Sequence, residues 1–393
     1  MTTRVTHRVQ RIRPSATVAV TALAARLRDE GQDIIALSAG EPDFDTPDHI
    51  KEAACTAIRS GQTKYTSVDG TRTLKEAIIG KFRRDNGLDF VPEQVLVSSG
   101  AKLACYGAAQ ALLEAGDEAI IPAPYWVSYP DIVRLADAEP VIVHTSAANG
   151  FRITPELLDS AITAQTRALI LNSPCNPTGA AYGREDWRAL GRVLAEHPQV
   201  FIITDEIYEH IYWGSEPFCG LLSACPELAE RTLTVNGVSK CYAMTGWRLG
   251  YAAGPEAVIK AMTTIQSQST TNACTISQIA AEAALNGDQA CVRRMCAAFE
   301  ERNAYVLERL NRLGGVECPP AEGAFYAFPD VTAAIERLGL RDDVAFCERL
   351  LQQQGLAIVP GSAFGAPGYV RLSFAAAQAT LESGLDRLSK FIT

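Results

Sequence analysis

The sequence has no apolar run long enough to cross a bilayer, no CxxC pair and no His/Cys cluster at metal-ligand spacing. It also lacks an excess of positive charge. Its 36 Lys and Arg face 45 Asp and Glu, a formal charge of -9, which argues against nucleic acid or an anionic membrane as the main partner. Its eleven cysteines are odd in number and scattered. That spacing excludes a disulfide framework and fits a reducing cytoplasm, with most thiols serving as small core residues. The N-terminus "MTTRVTHRVQRIRPSATVAV" carries arginines but no apolar h-region with a cleavage site, so no secretory signal is read there. There is no repeat, low-complexity segment or Gly/Ser linker.

What is present reads as a soluble globular α/β protein. The 393 residues, 47% hydrophobic and 21% charged, suffice for two or three domains around a sizeable core. Short β-rich runs alternate with helical stretches: "DIIALSAG", "QVLVSSGAK", "DEAIIPAP", "EPVIVHT", "TRALILNSP", "QVFIITDE" and "RTLTVNG". Six or seven such strands in succession predict one large, mostly parallel sheet. From about residue 290 the character changes, with the long helix-like run "VRRMCAAFEERNAYVLERLNRL" opening a smaller α+β unit. The expected division is 1–45 as an N-terminal segment packing with the small domain, 46–289 as the large domain and 290–393 as the small one.

Parallel sheets put their ligand sites at the carboxyl ends of the strands, and four fragments stand there. "SSGAK", Ser98 to Lys102, is either an ordinary tight turn or a phosphate cradle at a helix N-terminus. "NSPCNPTG" follows a strand with a loop that would hold the Asn176 amide over the strand ends. "TDEIYEH" closes another with Asp205, a helix N-cap or a functional acid, and Tyr208 three residues on. "NGVSKCYAMTGWRLGY" carries Lys240 with no acid within seven positions on either side, and Arg248 eight residues later. A lysine amine, an acid for a ring nitrogen, a phosphate cradle and a flat aromatic residue are what pyridoxal 5'-phosphate chemistry requires.

The motifs "AGEPDFDTP", "KYT", "PYWVSYP", "NSPCNPTG", "DEIYEH" and "MTGWRLGYAAGP" resemble those of the class I aminotransferases of fold type I, nearest the bacterial aspartate aminotransferases. The similarity runs from about Arg8 to the C-terminus. It implies a large, mostly parallel seven-stranded sheet domain with a smaller α+β domain. It also implies that Lys240 would anchor the cofactor and move the substrate's proton. Asp205 would pair with the ring nitrogen, and Tyr208 and Asn176 would bond the ring oxygen, lowering the pKa of the lysine–cofactor linkage. Gly100, Ala101, Lys102, Ser239 and Arg248 would hold the phosphate, although the family often has a second serine where Gly237 stands. Trp126 would stack on the ring. The glycines of "MTGWRLGY" would give the phosphate arginine room to approach.

The same resemblance assigns Tyr65 to the phosphate of a neighbouring subunit, which makes a homodimer with shared sites. It assigns Arg371, with the backbone of Gly40, to the substrate α-carboxylate, and counts Trp126 and Asn176 among the substrate-binding residues. For the far end of the substrate, Arg13, Ser15 and Thr17 are candidates, as is the "SQSTTNA" stretch. The activity implied is ping-pong transfer of an amino group from L-aspartate to 2-oxoglutarate, with amino acids and 2-oxo acids as small-molecule partners and no metal. An aromatic or prephenate aminotransferase is the alternative, and a C–S lyase a more distant one.

Overall fold

The computed structural model describes residues 4–12 and 14–393. Its strands are β1 (Ile35–Ala36), β2 (Val95–Ser98), β3 (Glu118–Ala123), β4 (Glu139–His144), β5 (Thr166–Asn172), β6 (Phe201–Asp205), β7 (Thr232–Gly237), β8 (Gly250–Ala253), β9 (Tyr326–Ala327), β10 (Leu356–Ala357), β11 (Val359–Pro360) and β12 (Val370–Ser373). Seven of them form one sheet in the order β2-β8-β7-β6-β5-β3-β4. Every neighbouring pair is parallel except β8, which runs antiparallel to β2 and β7. Strands buried on both faces read as unbroken apolar runs. Ile120 and Ile121, Leu169 to Leu171, and Ile202 and Ile203 are buried accordingly.

Two expectations are corrected. The run "DIIALSAG" does not join the large sheet: β1 is two residues long and pairs in parallel with β10. The seventh strand is β8, whose sequence "GYAA" has little β-branched or aromatic content to announce it. Pairing on both sides makes it a strand, an effect of tertiary context.

The small-residue helix Ala101–Leu112 follows β2 and buries Ala104, Ala108 and Ala109 against the sheet. Alanines there let its N-terminus approach the strand ends closely. The helix Ala290–Asn311 starts where the change of character predicted a long helix. It packs with β9, β12 and the C-terminal helix Gln378–Ile392 around a second core that includes Phe299, Phe325 and Leu388.

Candidate active site

Adjacent strands β5 and β6 finish level, because Asn172 and Asp205 are paired in register. Asn172 then ties two loops together: its Nδ2 donates to the Asp205 carbonyl at 2.9 Å, and its Oδ1 accepts from the Asn176 N–H at 2.8 Å. The loops after β5, β6 and β7 therefore converge on one cavity of about 240 Å³. Of the candidates named from the sequence that lie among the described residues, all line it except Gly100, Tyr65 and the "SQSTTNA" stretch.

Asp205 forms the buried floor. Its Oδ2 accepts from the Tyr129 hydroxyl at 2.7 Å and its Oδ1 from the Ile207 N–H at 3.2 Å, with the Cys105 thiol at 3.9 Å. Burial raises its pKa despite those donors. Among the described residues no Lys, Arg or His is paired with this carboxylate.

The opposite demand exists at the phosphate loop. Gly100 has φ +90, a backbone conformation that favours glycine, and a Cβ there would come within 2.6 Å of the Arg248 guanidinium, so the glycine leaves the arginine room at the start of the helix Ala101–Leu112. Arg248 is left-handed at φ 54, a conformation that costs a non-glycine residue on the order of 1 kcal/mol or more. Its Nη1 donates to the Thr245 carbonyl at 2.9 Å. Lys102 lies nearby with Nζ 4.8 Å from the Trp126 ring centroid, and burial and the Arg248 charge lower its pKa. Neither cation is paired with a carboxylate among the described residues.

The glycines of "MTGWRLGY" have a different purpose from the expected one. A Cβ on Gly250 would overlap the backbone of Gly100 and Ala101, while one on Gly246 would meet nothing within 4 Å. The glycine that makes room for the arginine is Gly100. Gly237 is explained similarly: its Cβ would lie 3.0 Å from Gly250 Cα and 3.1 Å from the Leu249 carbonyl, leaving no easy room for a serine.

On the far wall, Arg371 is buried, with 1% of its surface exposed. Its Nη1 donates to Asn176 Oδ1 at 2.9 Å and its Nη2 to the Ser38 carbonyl at 2.7 Å, and its Nε has no partner among the described residues. Lys240 Nζ donates to the Gly40 carbonyl at 2.5 Å. The same extended segment is held at its other end by Ser373 N–H on the Leu37 carbonyl at 2.7 Å. Burial, followed by the Arg371 charge, brings the Lys240 ammonium down to about 8.

Three candidates stand apart. Arg13 lies outside the described residues. Tyr65 is 90% exposed and lines a separate surface depression with Lys64, Thr66 and Thr275. The "SQSTTNA" stretch is not in the cavity wall of its own chain either. Thr275 Oγ1, two residues beyond it, donates to the Lys64 carbonyl at 2.7 Å, so it shares a face with Tyr65. Asn172, Tyr129 and Ser38 were not singled out from the sequence. Asn172 and Tyr129 sit inside quoted motifs, but nothing local reveals that Tyr129 meets an acid 76 positions away. Ser38 acts through its carbonyl, which carries no sequence signal.

The residues fit pyridoxal 5'-phosphate. An uncompensated buried carboxylate asks for a cationic ring nitrogen, an unpaired Lys/Arg pair beside a helix N-terminus asks for a dianion, and a lysine brought to about 8 is a ready amine. Among the described residues no cluster of three or more metal-ligating side chains is present. No helix of the described residues is long and apolar enough to cross a membrane.

The family "Aminotransferase class I and II" matches residues 32–388. An aspartate/prephenate aminotransferase of Nitrosomonas europaea is 53% identical over 396 residues, 99% of this chain and 100% of its own. The aspartate aminotransferase of Geobacillus stearothermophilus is 48% identical over 389 residues, 99% of both chains. Among solved structures, the aspartate aminotransferase of Rhizobium meliloti superposes with a TM-score of 0.96 at 44% identity, covering 100% of this chain and 99% of the other. That of Thermus thermophilus, solved with maleate, does so at 0.94 and 46%, covering 99% and 100%.

Proposed function

Because this chain belongs to the class I and II aminotransferases, which use pyridoxal 5'-phosphate, we propose that it transfers the amino group of L-aspartate to 2-oxoglutarate. The products are oxaloacetate and L-glutamate, and the two half-reactions share one cavity. The observation that carries this reading is Arg371: a buried guanidinium with one N–H lacking an acceptor, in the same wall as Lys240. An α-carboxylate, present on every amino acid and 2-oxo acid, completes it.

The bound cofactor supplies an electron sink for the α-carbon and a carrier for the amino group. The chain does the rest. Lys240 Nζ takes up the proton that leaves the substrate's α-carbon, and its lowered pKa suits a group that must both accept and return a proton near neutrality. Asp205, oriented by Tyr129, would keep the ring nitrogen protonated. Ala101, Lys102, Ser239 and Arg248 with Gly100 would hold the phosphate, Trp126 would cover the ring, and Tyr208 and Asn176 would bond its oxygen. Arg371 and Gly40 orient the carboxylate. Closure of the residue 290–393 unit, joined by 1–45, over the unit 46–289 would exclude water; the β1–β10 pairing supports that division.

The distal end of the substrate meets hydroxyls. Ser15 and Thr17 line the cavity, and the maleate bound by the Thermus relative is a dicarboxylate of aspartate's length. Prephenate as a second amino acceptor is favoured by the 53% identity to a relative named for both substrates. A half-reaction screen decides: aspartate and glutamate are expected to convert the bound cofactor to its amino form faster than any aromatic donor. Aspartate failing where aromatic donors succeed would overturn the substrate assignment, and pyruvate with ammonia as products would indicate a lyase.

We also infer a homodimer, in the cytoplasm. All eleven cysteines are free, and Tyr65 and the 267–275 segment lie together on one exposed face, away from their own chain's cavity. Mixing a Tyr65→Phe chain, weakened in cofactor retention, with a Lys240→Ala chain is expected to regain activity, because each hybrid holds one complete site. No recovery on mixing would show that Tyr65 serves no neighbouring site.

A further inference from the structure

Tyr326 has none of the roles above, yet its hydroxyl lies among the groups that do. β9 and β12 are antiparallel with Tyr326 opposite Ser373, two residues from Arg371, and the side chain is fully buried. Its hydroxyl is 2.9 Å from that of Tyr208, the one hydrogen-bond partner of each phenol among the described residues. A Cβ on Gly40 would come within 2.8 Å of the same oxygen. The Arg371 guanidinium stands 4.4 Å over the Tyr326 ring centroid, close enough for a cation–π contact.

Two hydroxyls at 2.9 Å share one proton between them and leave the other free to be donated outward. A phenol that accepts one hydrogen bond while donating another is a stronger donor, since bonds in a chain polarise one another. We propose that Tyr326 is a positioning residue for the transamination: by donating to the Tyr208 oxygen it directs the Tyr208 proton to the cofactor's ring oxygen. Arg371 holds the Tyr326 ring in that position. Burial raises the pKa of both phenols, so both keep their protons at neutral pH and the relay has two donors in series. The arrangement also connects the carboxylate arginine to the cofactor side of the site through a single ring. This inference rests on the reading that Tyr208 bonds the ring oxygen.

The test uses the holoenzyme and three variants: Tyr326→Phe, Tyr208→Phe and both together. Phenylalanine keeps the ring beneath Arg371 and removes only the hydroxyl. The quantity measured is the pH midpoint at which the visible spectrum changes form, which a packing role would leave in place. Tyr208→Phe is expected to raise it, because a donor to the ring oxygen is lost. Tyr326→Phe should raise it by less, a few tenths of a pH unit, and the double variant should match Tyr208→Phe alone. If Tyr208→Phe shifts the midpoint and Tyr326→Phe does not, or if the double variant shifts it further, the relay is overturned while the Tyr208 assignment stands. If Tyr208→Phe itself has no effect, the Tyr208 assignment fails and the relay fails with it.

Discussion

Lys240→Ala is expected to lower kcat/KM for aspartate by at least about 10²–10⁴-fold, the usual contribution of a positioned acid–base group, and to remove the visible band of lysine-linked cofactor. Loss of covalent anchoring adds to that figure. The site predicts a pH dependence as well. Burial and Arg371 bring the Lys240 ammonium down to about 8, and only the neutral amine attacks an aldehyde. The neutral fraction grows as pH rises, so capture of pyridoxal 5'-phosphate by cofactor-free protein should accelerate through about 8 and level off above it. A visible band retained in Lys240→Ala, or a capture rate flat across that range, would show that this amine is not the anchor.

Arg371→Ala should have the second largest effect and a different signature. A bidentate contact to a carboxylate comprises two charge-assisted bonds of about 1.5–3 kcal/mol each. Together these amount to roughly a 10²–10⁴-fold loss of kcat/KM. Donor and acceptor both carry the α-carboxylate, so both half-reactions should fall while the lysine-linked band stays. Arg371→Lys should recover only part of the loss, since an ammonium keeps the charge without the planar fork. Leaving Ser38 O and Asn176 Oδ1 without their buried donor also predicts a lower melting temperature for the alanine variant. Unequal loss in the two half-reactions would argue that Arg371 reads the side chain instead.

Lys240, Asp205, Asn176 and Arg248 were legible because each sits in a short motif at a strand end, where local sequence and chemistry coincide. Tyr129 was not, although it lies in the quoted "PYWVSYP": its meaning comes from Asp205, which only the fold brings near. β8 escaped for a related reason. "GYAA" has weak strand propensity, and its place between β2 and β7 is decided by partners about 150 residues and 15 residues away in the chain. The run containing β1 misled in the opposite direction. It is apolar as a strand should be, but the sheet it joins is decided by β10, near the other end of the chain.

The extended segment from Leu37 to Gly40 gives its Ser38 carbonyl to Arg371 and its Gly40 carbonyl to Lys240, so one stretch of backbone reports on two ligands. An anion at Arg371 stabilises the nearby ammonium and therefore strengthens proton binding at Lys240. Thermodynamic reciprocity requires the converse, that protonation of Lys240 strengthens anion binding by the same factor. In the cofactor-free protein, dicarboxylate binding near the Lys240 pKa of about 8 is thus accompanied by proton uptake. Once the lysine is linked to the cofactor, the nitrogen that titrates is that of the linkage, so the same reciprocity acts around the linkage's own pH midpoint and no longer around that of the free amine. Loading the cofactor thereby changes how the buffer's pH governs substrate capture.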